Sequence, residues 1–276
     1  MATITSKDGT SLYYEKHITS QKQKGLILLV HGFAEHCQRY ADMITWLNGL
    51  GFSVYCFDYR GHGRSAGKRG YIDHFEQYLD DLQTMRTLIE TENPTDQYFI
   101  FSHSNGGLIT LNQVVQNQDR VKGLVFSSPF FGFEIKVSMI KAILGKGLSK
   151  FVPTLQLPTD LDPKTVSHDP KVIEGYQTDP LIFKIATARW FTETIKAHAR
   201  CEDAVKQLKV PVLFQLAGDD KIASTAESKR LFTLLGSEDQ QIEVYEGLFH
   251  EIWFELECAK VYEQLRKWLE NHVGHA

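Results

Sequence analysis

Apolar positions along the chain alternate between two spacings. Gly25-Leu26-Ile27-Leu28-Leu29-Val30 is an unbroken apolar run, as expected of a strand covered on both faces. A helical pattern follows from about Tyr40 to Leu50 and stops at Gly51, and Phe52-Ser53-Val54-Tyr55-Cys56-Phe57-Asp58 reads as the next strand. From Phe75 to Ile89, apolar residues at 75, 78, 79, 82, 85 and 89 share one helical face, and Asp73 with Glu76 has the spacing of a capping box. Gln97-Tyr98-Phe99-Ile100-Phe101 and Val121 to Ser127 are further buried strands. A helix-compatible segment lies between them, from about Gly106. Residues 2–5 and 11–18 read as two edge strands around a turn at Lys7-Asp8-Gly9.

The alternation breaks after Pro129. Residues 130–200 carry several helical patterns and many prolines but no strand like the others. It resumes at Val210-Pro211-Val212-Leu213-Phe214-Gln215-Leu216 and runs on through a helix at 225–235, a strand at 241–245 and a terminal helix near 252–271. Alternating strands and helices predict an α/β fold, a mostly parallel sheet with helices on both faces. The expected division is a core of 1–129 and 201–276, with 130–200 inserted over the carboxyl ends of the strands.

Composition narrows the function classes. The 276 residues are 42% hydrophobic and 12% aromatic, enough for a sizeable core. A formal net charge of −4 argues against a nucleic-acid partner. Cys37, Cys56, Cys201 and Cys258 form no C-x-x-C pair, which points to reduced thiols in a cytoplasmic protein. Cys56, inside a strand pattern, reads as a small core residue. The first residues lack the pattern of a signal peptide, and no run of 18 apolar residues suggests a membrane span. No H-E-x-x-H occurs, and His31 and His36 sit on a loop with no evident third ligand, so neither a metal nor another cofactor is expected.

In an open parallel sheet, ligands bind beyond the carboxyl ends of the strands. The segment Ser102-His103-Ser104-Asn105-Gly106-Gly107 places a serine between a strand and a helix. It follows the nucleophile-elbow pattern G-x-S-x-G with Ser102 at the first glycine position. Other strand ends carry His31-Gly32-Phe33, Asp58-Tyr59-Arg60-Gly61-His62-Gly63, Gly218-Asp219-Asp220, and Gly247-Leu248-Phe249-His250. Serine, aspartate and histidine thus occur in the order of an α/β-hydrolase triad. A serine hydroxyl needs a base to take its proton, and a neutral imidazole suits that role. A buried carboxylate fixes the imidazole tautomer. On these grounds Ser104 is the nucleophile, His250 the base, and Asp220 or Asp219 the acid. The backbone amides of Phe33 and Asn105 are the expected oxyanion donors. Asp58 reads as a loop-capping carboxylate and His62 as a shaper of its turn.

Several of these segments resemble the monoacylglycerol lipases and related lysophospholipases of the α/β-hydrolase superfamily, also grouped as serine aminopeptidase-type hydrolases. His31-Gly32-Phe33-Ala34-Glu35-His36 with Arg39-Tyr40 resembles their H-G-x-x-E-H-x-x-R-Y, and Asp58 to Ser65 their D-x-R-G-H-G-R-S. The elbow is similar to G-H-S-x-G-G except for Ser102. Gly218-Asp219-Asp220-Lys221-Ile222 is similar to their acid loop, and Tyr245-Glu246-Gly247-Leu248-Phe249-His250-Glu251 to Y-x-G-x-x-H-E. Ser167-His168-Asp169-Pro170 and Asp179-Pro180-Leu181 look like parts of the family's cap. The resemblance spans residues 31–251. It implies a core of about eight strands with a helical cap, a Ser104–His250–Asp220 triad in which the loop register selects Asp220, and hydrolysis of monoacyl lipid esters without a cofactor.

Within the insertion, Ile135, Met139, Ile140, Ile143, Leu144 and Leu148 share a helical face, while Lys136, Lys141, Lys146 and Lys150 mostly lie elsewhere. Such a helix either packs onto the core or touches a membrane surface peripherally. A lid lining an acyl tunnel serves both readings. The same triad also serves a proline-iminopeptidase-like aminopeptidase, and the same fold a non-catalytic binding protein. An epoxide hydrolase or dehalogenase would instead carry a carboxylate at position 104.

Overall fold

The computed structural model describes residues 2–134, 149–159 and 161–273. An eight-stranded sheet runs through it. Its strands are β1 Ala2–Thr5, β2 Ser11–His17, β3 Gly25–Val30, β4 Phe52–Phe57, β5 Tyr98–His103, β6 Val121–Ser127, β9 Val212–Ala217 and β10 Gln240–Tyr245, with β7 and β8 elsewhere. The spatial order is β1-β2-β4-β3-β5-β6-β9-β10. β1 and β2 are antiparallel at one edge, and every pairing from β4 to β10 is parallel. The order reverses around β3, the first long parallel strand, so the switch point, where open parallel sheets bind their ligands, lies beyond the carboxyl ends of β3 and β5.

The apolar runs become strands because helices cover both faces. β4 and β5 are buried along their whole length. One face packs against α2 (Glu76–Glu92) and α3 (Asn105–Val114), where Leu26, Leu28, Val30, Ile100, Leu82 and Met85 share a core. The other packs against α1 (Ala41–Gly49) and the terminal helix α8 (Ala259–His272), with Ile27, Leu29, Phe99, Phe101, Leu47 and Trp268 in a second core. Consecutive residues of β3 and β5 alternate between the two cores, as the two-residue period of a strand requires.

One local expectation differs from the structure, and another gains detail. The capping box at Asp73 and Glu76 is not formed: α2 begins after Phe75, which has no side-chain cap. Phe75 is fully buried, and its amide donates to Glu193 Oε2 at 3.4 Å, so packing rather than the local motif sets the helix start. Among the described residues, 130–200 adds no strand to the main sheet but does hold two short ones. β7 (Gln156–Pro158) and β8 (Ile185–Thr187) pair antiparallel in a small separate sheet. Around them lie α4 (Pro170–Thr178) and α5 (Ala188–His198), followed by α6 (Cys201–Gln207) and later α7 (Thr225–Phe232). The apolar face from Ile135 to Leu148 lies outside the described residues.

The segment 166–187 is hydrogen-bonded to residues beside the strand ends. The Phe183 amide donates to Ala34 O (3.2 Å), the Glu251 amide to Val166 O (2.9 Å) and the Thr187 hydroxyl to Gly70 O (2.7 Å). The His36 ring meets Asp179 Oδ2 at 2.8 Å.

Candidate active site

The elbow starts from a backbone constraint. Ser104 has φ 51° and ψ −120°, a conformation that costs a non-glycine residue roughly 1–3 kcal/mol. Hydrogen bonds on both sides hold it: the Ser104 amide donates to Ser127 O (3.0 Å), and the Phe130 and Gly107 amides donate to Ser104 O (2.9 Å each). Behind it, a Cβ at position 106 would stand 2.4 Å from Val30 O and 2.5 Å from His31 O, so only glycine lets α3 approach β3 this closely. Ser102 fits the first glycine position because its hydroxyl turns into the sheet and donates to Val125 O at 3.1 Å.

The structure brings together three of the side chains singled out in the sequence. His250 Nε2 lies 2.8 Å from Ser104 Oγ, and His250 Nδ1 lies 2.7 Å from Asp220 Oδ2. The other Asp220 oxygen accepts from the amides of Ile222 (2.8 Å) and Ala223 (2.9 Å), which fixes the carboxylate plane. Asp219 is exposed, with its amide spent on Leu248 O, so between the two aspartates Asp220 is the one facing the imidazole. Burial pulls the His250 pKa down, but the Asp220 carboxylate, with Glu251 and Glu35 beyond it, outweighs this and holds it above the ordinary histidine value. His103, with its ring 4.9 Å from that of His250, is pushed down to about 3 by burial and then by His250, and so stays neutral.

The loop after β3 is clamped at one peptide unit. Gly32 O accepts from Tyr59 Oη (2.6 Å) and contacts His31 Nδ1 (2.7 Å), and the Gly32 amide donates to Glu35 Oε1 (2.5 Å). The C=O of Gly32 and the N–H of Phe33 belong to one planar trans peptide and point in opposite directions. Holding the carbonyl therefore aims the Phe33 amide. Neither that amide nor the Asn105 amide donates to an acceptor among the described residues. A Cβ at Gly32 would lie 3.2 Å from Ser104 Cβ, so the loop backbone runs against the serine. The Asn105 side chain donates to the same Tyr59 oxygen at 3.2 Å, which couples the two loops.

Roles that sequence reasoning did not assign fall to Glu35, Arg39, Tyr59 and Glu251. Arg39 bonds Glu35 Oε2 (2.5 Å) and both carboxylate oxygens of Glu251 (2.7 Å each), and Tyr40 Oη donates to Glu35 Oε1 (2.9 Å). One guanidinium thus ties the Phe33 loop to the residue after His250. All four stood inside quoted motif segments, but a motif gives no partners. Asp58 is a loop cap, accepting from the amides of Cys37 and Arg64 at 2.8 Å each. His62, fully buried, lies with its ring 4.2 Å from Tyr59 and 5.4 Å from Phe33, and shapes the floor of that loop.

Comparison with known proteins identifies the family. The sequence profile described as "Serine aminopeptidase, S33" matches residues 21–257. A monoacylglycerol lipase of Mycolicibacterium smegmatis is 27% identical over 96% of this chain and 95% of its own length. Phospholipase YtpA of Bacillus subtilis is 30% identical over 90% of this chain and 96% of its own. Among solved structures, the monoacylglycerol lipase of Paleococcus ferrophilus superposes with a TM-score of 0.86 at 33% identity, covering 95% of this chain and 99% of that one. From its fold and its sequence together, the chain belongs to the serine aminopeptidase S33 family and has the α/β-hydrolase fold.

Proposed function

We propose that this protein is a serine hydrolase that cleaves carboxylic esters of monoacyl lipids, monoacylglycerols or lysophospholipids, through an acyl-enzyme on Ser104. The observation that carries the reading is the hydrogen-bonded chain Ser104–His250–Asp220 at 2.8 and 2.7 Å. The likeness to proteins named monoacylglycerol lipase and phospholipase supports the substrate class.

In this reading Ser104 Oγ attacks the ester carbonyl carbon while His250 Nε2 takes its proton. The Phe33 and Asn105 amides receive the oxyanion, each donor worth ~10²–10³ in rate. Asp220 stabilises the imidazolium and holds the proton on Nδ1. Collapse of the tetrahedral intermediate breaks the C–O bond to the alcohol, which leaves with the proton from Nε2. Water then attacks the acyl-enzyme with His250 again as base, releasing the fatty acid and restoring the serine.

Residues 130–200 act as a cap over the 1–129 and 201–276 core, and its ties to the Phe33 and His250 loops support that division. Phe151, Val152 and Leu157, large apolar side chains exposed in this stretch, make it the face proposed to meet lipid peripherally. An aminopeptidase would need a free carboxylate for the substrate amine. The buried carboxylates Glu35 and Glu251 are both engaged by Arg39, which favours the esterase reading.

Ser104→Ala should abolish fluorophosphonate labelling and ester turnover on a panel of monoacylglycerols, lysophospholipids and short p-nitrophenyl esters. Persistence of either overturns the nucleophile. Faster wild-type turnover of aminoacyl amides than of every ester overturns the substrate class.

A further inference from the structure

Away from the serine, on the sheet face that packs under α1, three side chains of different chemistry converge. Glu15 and His17 lie two residues apart on β2 and therefore on one face. In the antiparallel pairing of β2 with β4, Glu15 stands directly opposite Cys56, which places the Cys56 thiol on the same face. A carboxylate oxygen of Glu15, a ring nitrogen of His17 and the sulfur of Cys56 all lie within 4.8 Å of one another. Tetrahedral bonds of about 2.0–2.3 Å to N, O and S ligands put ligand atoms roughly 3.3–3.6 Å apart, so small side-chain adjustments accommodate an ion.

The surroundings match those of a ligand set. Glu15 Oε1 accepts from Tyr13 Oη and from Gln38 Nε2 (2.5 Å), which orients the carboxylate and leaves Oε2 toward His17 at 2.8 Å. Partners that hold the far oxygen of a ligating carboxylate are what a metal site uses to fix its first ligands. The sulfur is fully buried, whereas the Glu15 and His17 side chains are 21% and 34% exposed, so one side opens to solvent. None of the three hydrogen-bonds to Ser104, His250 or Asp220, whose side-chain bonds are to one another and to the Ile222 and Ala223 amides.

We propose that Glu15, His17 and Cys56 form a binding site for a thiophilic divalent cation of the zinc class, with three protein ligands and a fourth position open to water. Thiolate and imidazole select such ions over magnesium or calcium, which require oxygen. Binding displaces the thiol proton of Cys56 and frees an imidazole nitrogen of His17 to donate its lone pair.

The test is titration of chelator-treated, full-length protein with Co²⁺ as a spectroscopic substitute. A saturable absorption with a thiolate-to-metal charge-transfer band is expected at one equivalent, displaced by Zn²⁺. Cys56→Ala should remove the charge-transfer band, His17→Ala and Glu15→Ala should weaken binding at least tenfold, and Tyr13→Phe should weaken it about 10–100-fold. Cys258→Ala should change nothing. Absence of a saturable band, or its survival in folded Cys56→Ala, overturns the site. If Cys56→Ala does not fold, the partly exposed His17 and Glu15 variants decide, and unchanged affinity in both overturns it.

Discussion

Replacing Asp220 by asparagine tests the proton relay with almost no change of shape. In the native protein Asp220 Oδ1 accepts two amides, from Ile222 and Ala223, and Oδ2 faces His250 Nδ1. An asparagine oxygen at the Oδ1 position keeps both amides paired and turns the NH₂ toward the imidazole. Nδ1 must then accept, the ring proton moves to Nε2, and the nitrogen facing Ser104 Oγ at 2.8 Å can no longer take the serine proton. Flipping the amide would restore the tautomer but strand two N–H groups, one buried and one part-buried, at about 1–3 kcal/mol each, or about 2–6 kcal/mol together. At about 1.36 kcal/mol per decade, the smaller figure already suppresses the flipped form roughly 30-fold. The loss in kcat should therefore be at least ~30-fold and approach the ~10⁴ typical of this substitution in a Ser-His-Asp triad, about 5.4 kcal/mol. The assay is kcat on a short p-nitrophenyl ester, with thermal melting to establish that the variant folds, and Asp219→Asn as the companion. A folded Asp220→Asn enzyme within tenfold of wild type, or an equal loss in Asp219→Asn, would refute the reasoning.

Two further outcomes follow from the clamps. Glu251 helps hold the His250 pKa up, behind burial and Asp220 in influence, so Glu251→Gln should move the acid limb of the kcat/KM profile to lower pH, since the base is then neutral sooner. It should also cost about 1.5–3 kcal/mol of stability through the weakened Arg39 contact. An acid limb unmoved or displaced upward in the pH–rate profile contradicts the assigned electrostatics. Gly106→Ala drives a Cβ into two backbone oxygens and should lower the urea-unfolding free energy by about 1–3 kcal/mol and reduce ester turnover. Gly49→Ala, at a helix position with nothing within 4 Å, should instead leave stability unchanged or raise it by up to about 1 kcal/mol, and matching effects of the two substitutions would defeat the packing argument.

What the sequence discloses depends on how far apart the interacting residues lie in the chain. The elbow is local: strand, strained serine, glycine and helix all fall between Tyr98 and Val114, so the short-range pattern contains the reason for the geometry. The buried strands are legible for a similar cause, because burial on both faces writes an apolar residue at nearly every position. β7 and β8 escape notice because three residues each, one ending in Pro158, are too few for a period to register. The Asp73/Glu76 spacing misleads because Phe75 answers to the core and to Glu193, 118 residues away, rather than to its neighbours. Arg39 and Glu251, 212 residues apart, and Glu15 opposite Cys56 depend on loop closure and strand register, which no single segment encodes. The elbow's pattern is local, but its strain is held by Ser127 and Phe130 from the next strand and loop. The alignment of His250 with Ser104 rests on contacts closed across the chain, and substitutions at Arg39 should disturb it without touching any atom of the reaction.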